Sequence, residues 1–205
     1  MQNTDTNWQP TTVAEAATLL RGAPFRWWIA GGHAIDQALN RPLRADIELN
    51  LLLLRADQMA VRDFLGDWDC HIADPPGTLR GWPPGESLRH GVFDVRVRRD
   101  PQDKWRLRLK LDPTDGDRWR SRRDARVTRP VAELGAADGQ GTAFLAPEML
   151  LYYRAARPKS WDHEDFDAVL PVLSGNQRAW LAHAIATSWG RQHRWLPRLM
   201  EAAKD

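Results

Sequence analysis

Hydrophobic and polar positions alternate with period two in three stretches of this chain and recur with the helical period in several others. Residues 46–54 read as the clearest strand, with Ile47, Leu49, Leu51 and Leu53 on one face and Glu48, Asn50, Leu52 and Leu54 on the other. The second face turns from polar to apolar along the strand, as expected where a sheet becomes covered on both sides. Residues 92–98 set Phe93, Val95 and Val97 against Val92, Asp94, Arg96 and Arg98. Residues 105–111 set Leu107, Leu109 and Leu111 against Arg106, Arg108 and Lys110, and the Pro101-Gln102-Asp103 link between the two predicts a hairpin. Shorter strands are expected over 25–30 and 68–73.

Helical spacing is expected over 11–20, where Thr11 or Thr12 caps and Val13, Ala17 and Leu20 form the stripe. It recurs over 33–39, over 57–65 with Asp57 as a cap, and then over 147–154, 162–170, 176–189 and 194–203. Trp180, Leu181, Ala184 and Ile185 are the expected inward face of the third of that last group. Prolines and glycines over 74–86 predict a loop, and the glycines over 135–141 a mobile connection. The expected class is therefore α+β: a mixed sheet flanked by helices over 1–145, then a C-terminal helical bundle over 146–205.

Composition adds few constraints. The 205 residues carry a net charge of +2, so the chain is no polycation. The arginines of 96–110 and 118–129 are interrupted by Asp100, Asp103, Asp117 and Asp124, which favours a solvated surface over a nucleic-acid stripe. One cysteine, Cys70, excludes an internal disulfide and a cysteine zinc cluster. The polar N-terminus lacks a signal pattern and no apolar run is long enough to span a bilayer, so the expectation is a cytoplasmic protein with no membrane partner. Eleven tryptophans are expected mostly as core anchors whose indole N–H needs a partner.

The candidate chemistry lies in residues 27–48. A short apolar strand, Trp27-Trp28-Ile29-Ala30, runs into Gly31-Gly32 and a helix, and the next strand opens with Asp46-Ile47-Glu48. Glycines let backbone approach a phosphate, and a helix start supplies free N–H donors. Acids at i and i+2 of a strand share a face, where they repel unless a cation joins them. That cation is either an Arg or Lys across the ladder or a divalent metal held by carboxylates and substrate phosphates. A third carboxylate, Asp94 or else Asp112, would serve as base or as a further metal ligand. Asp112 precedes Pro113, which suits a turn equally well.

The pattern Ile29-Ala30-Gly31-Gly32-x-Ala34-Ile35-Asp36, then Arg44, then Asp46-Ile47-Glu48, resembles the small-molecule antibiotic nucleotidyltransferases of the polymerase-β-like superfamily, the aminoglycoside 2''-type and lincosamide enzymes. The resemblance extends loosely to Asp94 and to the segment from Leu145 through Lys159, Asp162, Asp165 and Phe166. It implies the nucleotidyltransferase fold and transfer of a nucleoside monophosphate to a hydroxyl of a small, antibiotic-like acceptor. ATP or another nucleoside triphosphate would be co-substrate, with Mg2+. On that likeness Gly31 and Gly32 hold the triphosphate, Arg44 and Lys159 (or Arg154) assist, and Asp46, Glu48 and Asp94 carry the metals and the catalysis. The chain departs from the pattern at His33, where tryptophan is usual, and at Glu48, where aspartate is usual. It departs again at Arg154, where lysine is common, and in a shorter loop before Asp46. The rival expectation is a catalytically degenerate relative that binds a nucleotide, a protein or nucleic acid. A transferase that modifies a protein or RNA is a third.

Overall fold

The computed structural model of the protein describes residues 7–44, 48–75 and 77–201. The chain divides into two compact units, one of residues 1–31 and 46–114, the other of residues 32–45 and 115–205.

The first unit opens with α1 (Val13–Leu19). Thr12 settles the cap: its hydroxyl accepts the Glu15 N–H at 3.2 Å, and the Glu15 carboxylate accepts the Thr12 N–H at 2.8 Å, a reciprocal capping box. β1 (Trp27–Ala30) follows, and after Gly31 the chain enters the second unit through α2 (Gly32–Leu39). It returns in β2 (Asn50–Leu54), which is shorter than the strand expected over 46–54. The register with β1 runs to Ala30↔Asn50, where the chain turns away at Gly31. A 3-10 turn (Arg55–Asp57) leads into α3 (Gln58–Leu65), and the Asp57 side chain makes no capping bond. β3 (Asp69–Ala73) is paired by β4 (Leu79–Gly81), a strand inside the segment expected as loop. β5 (Asp94–Arg98) and β6 (Leu107–Asp112) form the expected hairpin.

Within this unit the strands run β1-β2-β6-β5-β3-β4. β2 and β6 are parallel and the other pairs antiparallel, so the sheet is mixed. The alternation explains the core: Leu51, Leu53, Val95, Val97, Leu107 and Leu111 are almost fully buried, and so are Leu52 and Leu54 on the opposite face. Arginines hold the loop that delivers β5. Arg55 donates to the carbonyl of Leu88 at 2.6 Å, and the buried Arg62 donates to those of Trp82 at 2.7 Å and Gly66 at 2.8 Å. The Gln58 side chain accepts the Leu88 N–H at 2.8 Å.

The second unit holds α2 and the chain beyond β7 (Thr114–Asp115). β8 (Arg118–Arg120) and β9 (Thr128–Pro130) pair antiparallel, and Trp119, set between two arginines, is wholly buried. β10 (Gly135–Ala137) and β11 (Ala143–Leu145) form a second hairpin in place of the expected mobile connection. Asp138 orders its turn by accepting the N–H groups of Gln140 and Thr142, each at 2.9 Å.

Four C-terminal helices follow: α4 (Pro147–Arg154), α5 (Ser160–Val169), α6 (Gly175–Trp189) and α7 (Leu196–Glu201). α4 packs on α5 and α6, and α6 on α7. Leu181, Ala184 and Ile185 face inward as expected, while Trp180 is half-buried. Trp195 is buried and stacks on Phe166 with centroids 4.4 Å apart, and its indole donates to His163 at 2.9 Å. No helix among the described residues is long and apolar enough to cross a membrane. The class is α+β, with a mixed sheet and C-terminal helices, as the periodicities predict.

Candidate functional site

β6 lies between β2 and β5, and this placement builds the site. Its leucines point into the core, so Arg108 and Lys110 share the other face. The register sets Arg108 beside Asn50 of β2 and Lys110 opposite Asp94 of β5. Glu48, two residues before Asn50, comes in on the β2 side, where the Arg108 N–H still donates to the Leu49 carbonyl at 3.0 Å. Two bases on a central strand are thereby flanked by one acid from each neighbour.

The Arg108 guanidinium is the hub. Its Nη1 donates to Glu48 Oε2 at 2.9 Å. Its Nε and Nη2 grip Asp94, at 2.9 Å to Oδ1 and 2.6 Å to Oδ2. Lys110 Nζ donates to the same Asp94 Oδ2 at 2.7 Å. All four side chains are about a quarter exposed. Burial pushes the Asp94 carboxyl up, but the Arg108 hydrogen bonds and the charges of Lys110 and Arg108 outweigh it and hold the group down at about 2. The Asp94 hydrogen bond in turn raises the Arg108 guanidinium further above its usual value, against the opposing effect of burial. Of the two strand readings, the arrangement has the cross-ladder cation in place.

Gly31 has a positional reason to be glycine. Its φ is +74°, and an added Cβ would stand 3.0 Å from Asn50 Nδ2. Asn50 also donates to the Glu48 carbonyl at 3.3 Å, so one side chain touches both the turn and the acidic segment. Gly32 is the first residue of α2. Asp46 lies outside the described residues, as do Ala45 and Ile47. Asp36, from the same motif, orders the loop ahead of them by accepting the Leu43 N–H at 2.7 Å.

Asp112 is not part of this cluster. It closes β6 opposite Leu54, fully buried, and four residues of strand (about 13 Å) separate it from Arg108. It is a strand residue, not a turn residue.

In the second unit Arg44 is ion-paired to Asp165 and Glu164 and donates to the Trp161 carbonyl at 3.0 Å. Arg154 pairs with Asp165 and, at 3.5 Å, with Asp162. Lys159 places its ammonium 4.7 Å from the centre of the Trp161 ring, and its backbone N–H donates to Asp162 at 2.8 Å. A separate network centres on Glu148, which is fully buried and accepts from Arg129 at 2.6 Å and Gln177 at 2.8 Å.

Carboxylate oxygens are the donors that a magnesium-class ion takes, and Glu48 and Asp94 reach one common cation, so their chemistry fits such an ion. Their charges are already balanced by Arg108 and Lys110, so the ion fits only when Arg108 lets go. Among the described residues no group of three or more His, Cys, Asp or Glu side chains is gathered for a metal. The sequence places Arg108 and Lys110 on a polar face without assigning them a role. The Leu-Arg-Leu-Lys-Leu alternation is the signal that could have found them.

No family profile and no curated protein matches this sequence. Solved structures do. The chain is similar to the aminoglycoside 2''-nucleotidyltransferase ANT(2'')-Ia in complex with adenylyl-2''-tobramycin. That match has a TM-score of 0.50 and 16% identity, over 85% of this chain and 95% of that one. The solution structure of the antibiotic-resistance factor ANT(2'')-Ia gives a TM-score of 0.51 and 16% identity, over 83% and 86%. An antigenic nucleotidyltransferase-like protein from Paracoccidioides brasiliensis matches at 0.47 and 16%, over 94% and 90%. The fold is that of the nucleotidyltransferases, as the Gly31-Gly32 and Asp46-Ile47-Glu48 resemblance implied.

Proposed function

We propose that this protein transfers a nucleoside monophosphate from a nucleoside triphosphate to a hydroxyl of a small polar acceptor, releasing pyrophosphate. The observation that carries this reading is the convergence of Glu48, from the segment leading into β2, and Asp94 of β5 on one cationic centre at 2.9 Å each, within a nucleotidyltransferase fold. Asp46, Glu48 and Asp94 would hold divalent ions of the Mg2+ kind, which neutralise polyphosphate charge and acidify the attacking hydroxyl. Clamped by Arg108 and Lys110 and held at about 2, Asp94 is a weak base as it stands, so it is proposed to accept that proton only once Arg108 has let go. Gly31 presents backbone without a side chain at the turn, Gly32 at the first position of α2 is proposed to meet the triphosphate with it, and Arg44 and Lys159 are proposed as further nucleotide contacts. The adenylylated aminoglycoside held by the resistance factor of this fold makes aminoglycosides the first acceptor class to test, with ATP first among the triphosphates.

The test is pyrophosphate release with each nucleoside triphosphate, Mg2+ or Mn2+ and a panel of aminoglycosides and other polyols, together with the mass of the acceptor. A gain of one nucleotidyl unit is expected. The double substitution Asp46→Ala, Glu48→Ala should lower turnover by about a hundredfold or more while leaving the melting curve intact. Parental turnover in the double variant discards the site.

A second reading, a fold relative that binds nucleotide without chemistry, is favoured by one observation: Arg108 and Lys110 already neutralise both acids. Calorimetry with ATP separates the two. Binding that requires the metal belongs to the enzyme; binding indifferent to it belongs to the degenerate relative.

A further inference from the structure

We infer that Arg108 is a stand-in cation that keeps divalent metal off Glu48 and Asp94 until a nucleoside triphosphate arrives with it, and that the guanidinium then passes to the polyphosphate. The inference rests on the proposed nucleotidyl transfer and adds a residue and an order of events to it.

The argument starts from charge. Glu48 and Asp94 carry two negative charges, and Arg108 and Lys110 carry two positive ones, joined by hydrogen bonds of 2.6–2.9 Å. A divalent ion entering alone must compete with a guanidinium already seated between the carboxylates, and it adds two positive charges to four side chains whose own charges cancel. A metal entering with a polyanion does not. The triphosphate offers the displaced guanidinium the same planar, two-toothed acceptor that a carboxylate offers.

The geometry allows the exchange. The Arg108 backbone is fixed by the β2 and β5 ladders, so only the side chain needs to move. That side chain is 26% exposed and its partners 27% and 29%, so its release into solvent strands no buried charge. Lys110, opposite Asp94, keeps its own bond to Asp94 Oδ2 and holds that carboxylate in place when the fork leaves. Arg108 is thus a positioning and selecting residue: it makes metal and nucleotide binding mutually dependent.

The experiment uses the full chain. Mn2+ binding is followed by electron paramagnetic resonance, alone and with the non-hydrolysable α,β-methylene analogue of ATP, in the parent, Arg108→Gln and Arg108→Lys. The parent is expected to bind Mn2+ weakly alone and at least about tenfold more tightly with the analogue, the scale of one unit charge a few ångströms away at a partly exposed site. Arg108→Gln should bind Mn2+ alone about tenfold more tightly than the parent and the Mn2+-analogue pair more weakly. Arg108→Lys, which keeps the charge and loses the fork, should fall between the two and serves if the Gln variant does not fold. A purely structural role for Arg108 does not tighten metal binding in any variant. If the parent binds the Mn2+-analogue pair and both variants leave Mn2+-alone affinity unchanged or weaker, this inference is overturned and the transfer reading stands. If the parent binds no nucleotide under any condition, the transfer reading falls and the handover to polyphosphate falls with it.

Discussion

Each unit of the molecule contains a carboxylate gripped by an arginine, and the two are built to different ends. In the second unit Glu148 has no exposed surface, Arg129 beside it is 12% exposed, and Gln177 supplies the other hydrogen bond. In the first unit Glu48, Asp94, Arg108 and Lys110 are all about a quarter exposed. A buried charge with one partner removed has nowhere to turn, so its pairing is permanent. A partly exposed charge can exchange its partner for water, a metal or a phosphate. Burial, not the pairing itself, separates a structural ion pair from a candidate site.

The contrast can be broken most sharply at Glu148. Replacing it with alanine leaves Arg129 in a largely buried place with only the exposed Glu133 carboxylate, 3.6 Å away, and unfolding in urea should show a loss of about 3–5 kcal/mol. A loss below about 1 kcal/mol, typical of surface pairs, would put the two networks in one class. Next in size is Gly31→Ala. A side chain at φ +74° is strained and its Cβ meets Asn50 at 3.0 Å, so the expected cost is about 1–3 kcal/mol by thermal melting. Asn50→Ala in the same background should return only the contact part of that cost.

The smallest effect is the dependence on acid. Asp94 is held at about 2 in the folded protein, below its ordinary value of 3.8. The unfolded chain therefore binds the proton first as pH falls. The stabilisation is complete above about pH 4 and disappears as pH drops through about 2, an amount on the order of 1–2 kcal/mol after allowance for exposure. Asp94→Asn should flatten that limb of the stability curve. An unchanged limb means that the clamp on Asp94 contributes nothing to folding.

Much of this was legible in the chain, for reasons that differ by element. Strands with strict alternation, such as Val95 and Val97 against Asp94 and Arg96, announce both their existence and their buried face. Helices with a cap and a stripe, such as the one behind Thr12, do the same. β4 and the β10–β11 hairpin were not legible, because three-residue strands made of Leu-Arg-Gly or Gly-Ala-Ala carry no period, and their glycines read as loop. The site was half legible. That acids on a strand meet either a metal or a basic residue across the ladder follows from their spacing. That the basic residue is Arg108, sixty positions from Glu48, follows only from the parallel pairing of β2 and β6, which no local pattern encodes. Asp112 illustrates the converse: Pro113 suggests a turn, but the β2 ladder carries the strand through to its last residue.

That separation also orders events during folding. The Asp94–Arg108 contact spans 14 positions and closes with a hairpin; the Glu48–Arg108 contact spans 60 and waits for two remote strands to meet in parallel. Local hairpins form on the microsecond scale, and long-range parallel pairing is far slower. The nascent hairpin consequently travels with one acid already satisfied and half of its guanidinium fork still in water, and the arrival of Glu48, just ahead of β2, closes the circuit.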